Sequence, residues 1–275
     1  MKYPEIHICN DPKPRPMRHT QIEYFKNDDG TPGYAYDFLT GCNHWMNGVC
    51  GGGGKDFRCW AKALAEGRNK ASYPFGFEPT IYPSRLLDPL RIKKPSRISV
   101  VFKGDLFGEW INPNERVELE WTEYQDYFTL KENVKMVVDM CPQHTFLFLT
   151  KNPAGYQKWE QFPDNCWLGA TVNDEISYAR NVTSLIGAAS KNKWLSIEPL
   201  TGRIDPMLMK NTLMAVDFVV IGGYSGGRRT PKLEWVEEIV SACDTAGIPV
   251  WLKENLRALD DGGGLRREFP ITGTR

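Results

Sequence analysis

Six short apolar runs, separated by longer segments of helical period, are the feature that most restricts the fold of this chain. The runs are rich in β-branched and aromatic residues and stay apolar throughout, which is typical of strands buried on both faces. They span residues 98–102, 145–149, 166–172, 194–197, 218–221 and 249–252. Repeated strand–helix–strand order implies right-handed crossovers, so these runs predict a parallel sheet.

Amphipathic segments between the runs predict helices. They span residues 118–140, 174–189 and 233–246. A further strand is expected at residues 34–38, after a Pro-rich opening. This order of elements predicts an α/β protein with a parallel (β/α) barrel, TIM-like and either partial or complete. We expect one domain over residues 34–275, preceded by an irregular N-terminal extension over residues 1–33.

The composition supports a large buried core and limits the classes of partner. Of the 275 residues, 41% are hydrophobic, and 34 acidic and 34 basic side chains cancel to a formal net charge of zero. That balance argues against a broadly basic nucleic-acid binder but permits a local basic cleft. No run approaches the roughly 18 apolar residues of a membrane span, and the N-terminus carries no apolar export signal. We therefore expect no membrane partner and a cytoplasmic location.

Polar or glycine-rich residues follow each predicted strand. In parallel barrels the reactive groups gather at the carboxyl ends of the strands, so these positions form a candidate site. The candidates are Asp105, Thr150, Lys151, Glu198, Gly222 and Gly223. Arg228 and Arg229 follow the same glycine-rich loop and could contact a phosphate.

The seven cysteines divide into two groups. Four are scattered singly, and three of those, Cys141, Cys166 and Cys243, sit in apolar surroundings that indicate small buried hydrophobes. The remaining three fall within 18 residues, in a loop just before a helix that begins near Trp60; they are Cys42, Cys50 and Cys59. Their spacing admits a zinc site with His44 as fourth ligand, an iron–sulfur cluster, or free thiols.

The order of these segments resembles the phage Gp37/Gp68 family, a three-cysteine-motif domain related to radical S-adenosylmethionine enzymes. The matching stretches run over residues 35–270 and include TGC, CWAKALAEGR, CPQHTFLFLTKNPAGY, NCWLGATVND, WLSIEPLTGRID, DFVVIGGYSGG and AGIPVWLKEN. This chain departs from the family pattern at two points. Residues 51–58 separate the last two cysteines, with Trp60 in the position of the family's tyrosine, and Tyr224 stands where the family has a glutamate.

The resemblance implies a cofactor and a reaction. Cys42, Cys50 and Cys59 would each bind one iron of a [4Fe-4S] cluster, and S-adenosylmethionine would bind the open iron. Reductive cleavage of its sulfonium bond would release a 5′-deoxyadenosyl radical that abstracts hydrogen from substrate. A flavodoxin- or ferredoxin-like protein would donate the electron, and a nucleic acid or a nucleotide-derived molecule is the expected substrate.

The resemblance also suggests roles at the strand ends, each with a simpler alternative. Asp105 and Glu198 could bind the S-adenosylmethionine ammonium or ribose, although Glu198 could equally form a local salt bridge. Thr150 and Lys151 could meet the methionine carboxylate or a phosphate, unless the lysine is merely solvated. Further candidates for cofactor contact are Gly222 and Gly223, by close backbone approach, and Trp60, by stacking on adenine. The alternative function is a non-catalytic barrel, stapled by zinc, that binds nucleic acid or a protein partner.

Overall fold

A computed structural model describes residues 6–10, 16–44, 50, 59–67, 69–118, 128–224, 230–260 and 262–270. These residues form one α/β domain with a large and a small sheet. The strands are β1 His7–Ile8, β2 Arg18–His19, β3 Tyr34–Tyr36, β4 Leu39–Thr40, β5 Thr80–Ile81, β6 Arg97–Val100, β7 Thr145–Thr150, β8 Cys166–Val172, β9 Asn192–Ile197, β10 Phe218–Ile221 and β11 Val250–Leu252. The α-helices are α1 Trp60–Glu66, α2 Leu130–Asp139, α3 Glu175–Ile186, α4 Pro206–Lys210 and α5 Leu233–Ala246.

The large sheet has eight strands in the order β11-β10-β9-β8-β7-β6-β3-β2. Every pairing in it is parallel except that of β2 with β3. From β6 onward each strand pairs with the next along the chain, which is the winding that successive right-handed βαβ units produce. Among the described residues no strand pairing joins β11 to β2, so the sheet is open and a closed barrel is not found.

All seven predicted strands are present, two of them with the predicted bounds, β8 and β10. The helix predicted over residues 118–140 is wrong at its start, because α2 begins only at Leu130. Thr129 pairs with Arg116 in an antiparallel bridge. It also forms a capping box with Glu132, so the helix starts where the cap lies. Residues 119–127 of that prediction lie outside the described part of the chain.

The two faces of the large sheet are covered differently. One face packs against the helices in the main core. The other carries a separate cluster, which we call the aromatic layer: Tyr24, Phe25, Leu147, Trp167, Trp194, Phe218, Val220 and Trp251. Tyr24 and Phe25 come from the short 3-10 helix Glu23–Phe25, so the N-terminal segment fills this face of the sheet.

The face that bears the aromatic layer brings together rings from strands that are not neighbours. The ring of Phe102, just beyond β6, stacks on Trp194 of β9 with centroids 6.5 Å apart. Two other strands separate β6 from β9, which in a flat sheet would put them about 14 Å apart. The indole of Trp194 spans much of that distance by lying across β8, and we call this face of the sheet the inner face.

No α-helix in the described ranges combines the length and the hydropathy that crossing a bilayer requires.

Candidate functional site

The carboxyl edge of the large sheet, where its parallel strands end, gathers most of the predicted site residues. Side chains alternate between the two faces of a strand, so the positions that follow the aromatic layer stay on the inner face. They are Lys151 after β7, Thr171 in β8, Glu198 after β9, Gly222 after β10 and Lys253 after β11. The inner face thus changes from aromatic to polar as it approaches the carboxyl edge.

Asp105 is a buried side chain at this edge that accepts hydrogen bonds from four groups. Its carboxylate accepts hydrogen bonds from His44 Nε2 at 2.7 Å and from the Thr150 hydroxyl at 2.7 and 2.9 Å. The backbone N–H groups of Lys151 at 3.1 Å and Phe107 at 3.0 Å complete the set. Asp105 is 3% exposed, so these four groups replace its water.

These partners also decide the charge of Asp105. Burial alone would raise its pKa, but the hydrogen bond and charge of His44, with the hydrogen bonds from Thr150 and Lys151, bring the pKa below the ordinary value. Asp105 is therefore a carboxylate at neutral pH. Because a carboxylate only accepts, His44 Nε2 must carry the hydrogen.

Close backbone contacts set Asp105 beside the cysteine loop. Gly41 and Gly104 form a parallel bridge, and a Cβ on Gly41 would lie 2.2 Å from the Glu78 carbonyl oxygen. Gly41 also has φ of +84°, which favours glycine. Val101, directly after β6, has φ of +57°, which is a rare and strained backbone conformation for a β-branched residue. It lies where the chain turns from β6 toward Asp105.

The structure brings the three loop cysteines to this edge as half-buried free thiols. Cys42 and Cys59 pack on one small apolar cluster, formed by Ala61, Ala65, Tyr73 and Phe77. The backbone N–H of His44 donates to Cys42 Sγ at 3.4 Å. The charges of Lys151, Cys59 and Asp105 act on the thiol of Cys50.

The electrostatics of the thiols are set by burial and by two neighbours. Burial raises the pKa of Cys42 well above its usual range, and Asp105 raises it further. Burial also raises the pKa of Cys50, while the ammonium of Lys151 opposes that rise. Lys151 is thus the cation that favours thiolates at this edge.

The donor set suits a thiophilic metal centre, but its geometry is not preformed. Thiolates and imidazole are the ligands that zinc and iron–sulfur clusters take. Within the described ranges, however, no group of three or more His, Cys, Asp or Glu side chains is close enough to hold a metal ion. A metal ion or cluster bound by all three cysteines would require their sulfur atoms to lie closer together than they do here.

Glu198 lies opposite Lys253 on the inner face, and the two form an ion pair with side chains 18% and 15% exposed. The structure thus contains the local salt bridge that the sequence left as an alternative. Gly222 makes room for it, because a Cβ there would lie 3.0 Å from Lys253 Cδ and 3.1 Å from Glu198 Cδ. The glycine brings the backbone of β10 against this pair.

Gly223 is held by a side-chain amide. Asn255 Oδ1 accepts from the Gly223 N–H at 3.0 Å, and Asn255 Nδ2 donates to the Gly223 carbonyl at 2.8 Å. Lys253 and Asn255 were not among the predicted site residues, although both follow the last strand. The same position-based rule that selected Glu198 would have selected them.

Trp60 is the most exposed of the predicted site residues, at 51%, and begins α1 directly after Cys59. Its side chain is available at the surface next to the cysteine loop. Arg228, Arg229 and the insert at residues 51–58 lie outside the described residues. The prediction that Cys141, Cys166 and Cys243 are buried is confirmed, since each is fully buried.

A cleft of about 1030 Å³ lies at the other end of the sheet. It is lined where strands begin, by residues such as Thr145, Asn192 and Pro249, with Trp167 and Phe269 at the aromatic layer. Its charged residues are already engaged: Asp217 accepts from the Lys193 N–H and Arg267 pairs with Glu254. We therefore place the candidate site at the carboxyl edge and not in this cleft.

The fold and the site together define a class: an α/β protein with an open, mostly parallel sheet and a thiol-rich polar site at its carboxyl edge. The chain belongs to the family described as protein of unknown function (DUF5131), whose family model matches residues 19–257. No curated protein and no solved structure matched the chain.

Proposed function

We propose that this protein is a radical S-adenosylmethionine enzyme whose [4Fe-4S] cluster is held by Cys42, Cys50 and Cys59. The observation that carries the proposal is that three half-buried free thiols lie at the carboxyl edge of a parallel sheet, where the charges of Lys151 and a buried carboxylate act on two of them, Cys42 and Cys50. A half-buried thiol trio without a disulfide suits a cluster that leaves one iron open. The similarity to the three-cysteine phage family supports the same reading.

The residues at the carboxyl edge would have separate roles in binding the cofactor. A bound cluster supplies the electron that cleaves the sulfonium bond of S-adenosylmethionine. Lys151 places a positive charge beside the thiolates and can meet the methionine carboxylate. Glu198, paired with Lys253, offers a carboxylate on the inner face for the ammonium or the ribose hydroxyls. Gly222 leaves the space that this ion pair occupies.

Asp105 and Thr150 take a different role in this proposal from the one expected from sequence. Both are buried, at 3% and 2% exposed, and the Thr150 hydroxyl donates a hydrogen bond to the Asp105 carboxylate. We assign them to the support of the loop and of Lys151, and leave the cofactor contacts to residues that reach the inner face. Trp60, exposed beside Cys59, remains the candidate for stacking on adenine.

The proposal also covers the type of barrel, the electron donor, the cellular location and the substrate. The open, mostly parallel sheet built from consecutive βα units favours a partial (β/α) barrel, which would keep water from a reactive radical. A flavodoxin- or ferredoxin-like protein would deliver the electron in the cytoplasm. A nucleic acid or nucleotide-derived molecule is the proposed substrate.

Anaerobic reconstitution tests the proposal. Wild-type protein incubated with iron and sulfide should turn brown and hold one cluster per chain by iron and sulfide analysis. After reduction with dithionite it should convert S-adenosylmethionine to methionine and 5′-deoxyadenosine. Cys50→Ala should lose the cluster, while Cys9→Ala, outside the site, should keep it. A brown protein that never cleaves S-adenosylmethionine would contradict the enzymatic assignment.

One observation favours a second candidate, a zinc-stapled binding module. His44 Nε2 donates to buried Asp105 at 2.7 Å, and metal-binding histidines commonly orient themselves in this way while Nδ1 takes the metal. Three thiolates and His44 would complete a closed zinc site. A colourless protein purified with one zinc per chain would select this candidate over the first.

A further inference from the structure

We propose that His44 and Asp105 are a positioning pair: a buried imidazole–carboxylate contact that fixes Cys42 at the candidate metal centre and ties it to the end of β7. This inference rests on the proposed function for its metal-bound form. Its structural part, the control of Cys42, can be tested in the metal-free protein.

The pair is buried and tightly defined. His44 is 4% exposed, and its Nε2–H donates to Asp105 Oδ2 at 2.7 Å. Its ring packs in a T-shaped arrangement with that of Trp110, with centroids 4.8 Å apart and planes at 76°. A side chain held by a charge-assisted hydrogen bond and an aromatic wall keeps a single orientation.

That orientation has a consequence two residues earlier in the chain. The backbone N–H of His44 donates to Cys42 Sγ at 3.4 Å. A hydrogen bond from a backbone N–H stabilises a sulfur atom that carries negative charge, and such bonds tune metal–sulfur centres. Anchoring the imidazole therefore also fixes the donor that faces the sulfur.

The same carboxylate reaches the opposite side of the site. Asp105 accepts from the Thr150 hydroxyl and from the Lys151 N–H, so it fixes the chain where β7 ends. Lys151 is the cation whose charge acts on Cys42 and Cys50. One buried carboxylate thus sets the position of a metal-binding sulfur relative to the cation beside it.

Alkylation of the metal-free protein tests the pair directly. Wild-type, His44→Leu and His44→Gln are treated with iodoacetamide, and modification of each cysteine is followed by mass spectrometry. His44→Leu should speed alkylation of Cys42 about tenfold, because the loop loses its anchor and the half-buried thiol becomes more exposed to solvent. His44→Gln should restore slow alkylation, since the glutamine amide can still donate to Asp105.

A matched control separates anchoring from general loosening. His144 is also buried, at 1% exposed, and its Nε2 contacts the Ile92 carbonyl oxygen at 3.1 Å, near the start of β7. His144→Leu should leave the Cys42 rate unchanged. If His44→Leu does not fold, Thr150→Val removes a donor to Asp105 with little change of shape and should raise the Cys42 rate in the same direction.

The reconstituted protein gives a second readout. His44→Gln should still assemble a cluster, and its midpoint potential should match wild type, whereas Thr150→Val should shift the potential. If wild type and every variant fail to assemble a cluster while the alkylation pattern holds, the proposed function is rejected and the positioning pair stands. Equal Cys42 alkylation in wild type and His44→Leu, or fast alkylation in His44→Gln, would overturn the pair itself.

Discussion

The indole of Trp194 occupies the space where a side chain on Gly169 would lie. The two residues are register partners on the adjacent strands β8 and β9. A Cβ on Gly169 would lie 2.3 Å from Trp194 Cε2, and the indole Nε1 donates to the Phe148 carbonyl oxygen at 3.0 Å. The absence of one side chain on β8 thus lets the indole of Trp194 cross that strand and donate a hydrogen bond to β7.

Gly169→Ala should therefore destabilise the protein by about 1–3 kcal/mol, because the methyl group forces the indole off its site. Chemical denaturation followed by circular dichroism measures the free energy of unfolding. Gly187→Ala is the control, since a Cβ there would have its nearest neighbour 3.6 Å away. It should stay within about 0.5 kcal/mol of wild type. Equal stability of the two variants would contradict this account of the glycine.

Asp105 should make the stability of the protein sensitive to acid. Its pKa is lower folded than unfolded, so its contribution is present above the ordinary pKa of about 3.9 and is lost as the pH falls through the folded value. The free energy of unfolding, measured at steps from about pH 6 to pH 3, should fall less steeply in Asp105→Asn than in wild type. Asp139→Asn, which removes an exposed carboxylate at the end of α2, should follow the wild-type slope. A wild-type slope in Asp105→Asn would show that Asp105 is not stabilised as an anion.

Gly222→Ala should disturb the Glu198–Lys253 pair, since the added Cβ would press on both side chains. We expect S-adenosylmethionine to bind roughly tenfold more weakly, by equilibrium dialysis, with a loss of about 1 kcal/mol in stability. Gly202→Ala is equally crowded, with its Cβ 3.1 Å from Asp174 Cβ, but lies away from the pair. Affinity that falls equally in both variants would attribute the effect to loosening of the fold.

The buried cysteines should be chemically silent in the native protein. Burial raises the pKa of Cys243 to about 12, so fewer than about one in a thousand of its thiols is ionised at pH 8. Cys141 and Cys166 are likewise fully buried. Iodoacetamide at pH 8 should modify half-buried Cys9 well before these three, and denaturant should make all of them react. Native modification of Cys243 at the rate of Cys9 would contradict its burial.

The strands could be predicted from sequence because their cause is local. A continuous apolar run such as that of β8 leaves no polar face, so burial on both sides follows from the residues themselves. The start of α2 was also readable, since Thr129 and Glu132 have the spacing of a capping box, but the amphipathic period continued before it and hid the boundary.

The inner face and the buried site could not be predicted in this way. Runs that are apolar throughout do not reveal which side meets the helices, and Tyr24 reaches the aromatic layer from a segment remote in sequence. Asp105 owes its role to His44, 61 residues earlier, and to Thr150, 45 residues later. Sequence position placed Asp105 at a strand end, but only the folded chain shows that its oxygen atoms are already occupied.

The aromatic layer fills the middle of the inner face with side chains. Tyr24 packs on both Trp194 and Trp251, and all three are at most 9% exposed. A small molecule bound to this face would therefore contact the polar residues at the carboxyl edge, such as Lys151 and Glu198, and not the aromatic rings.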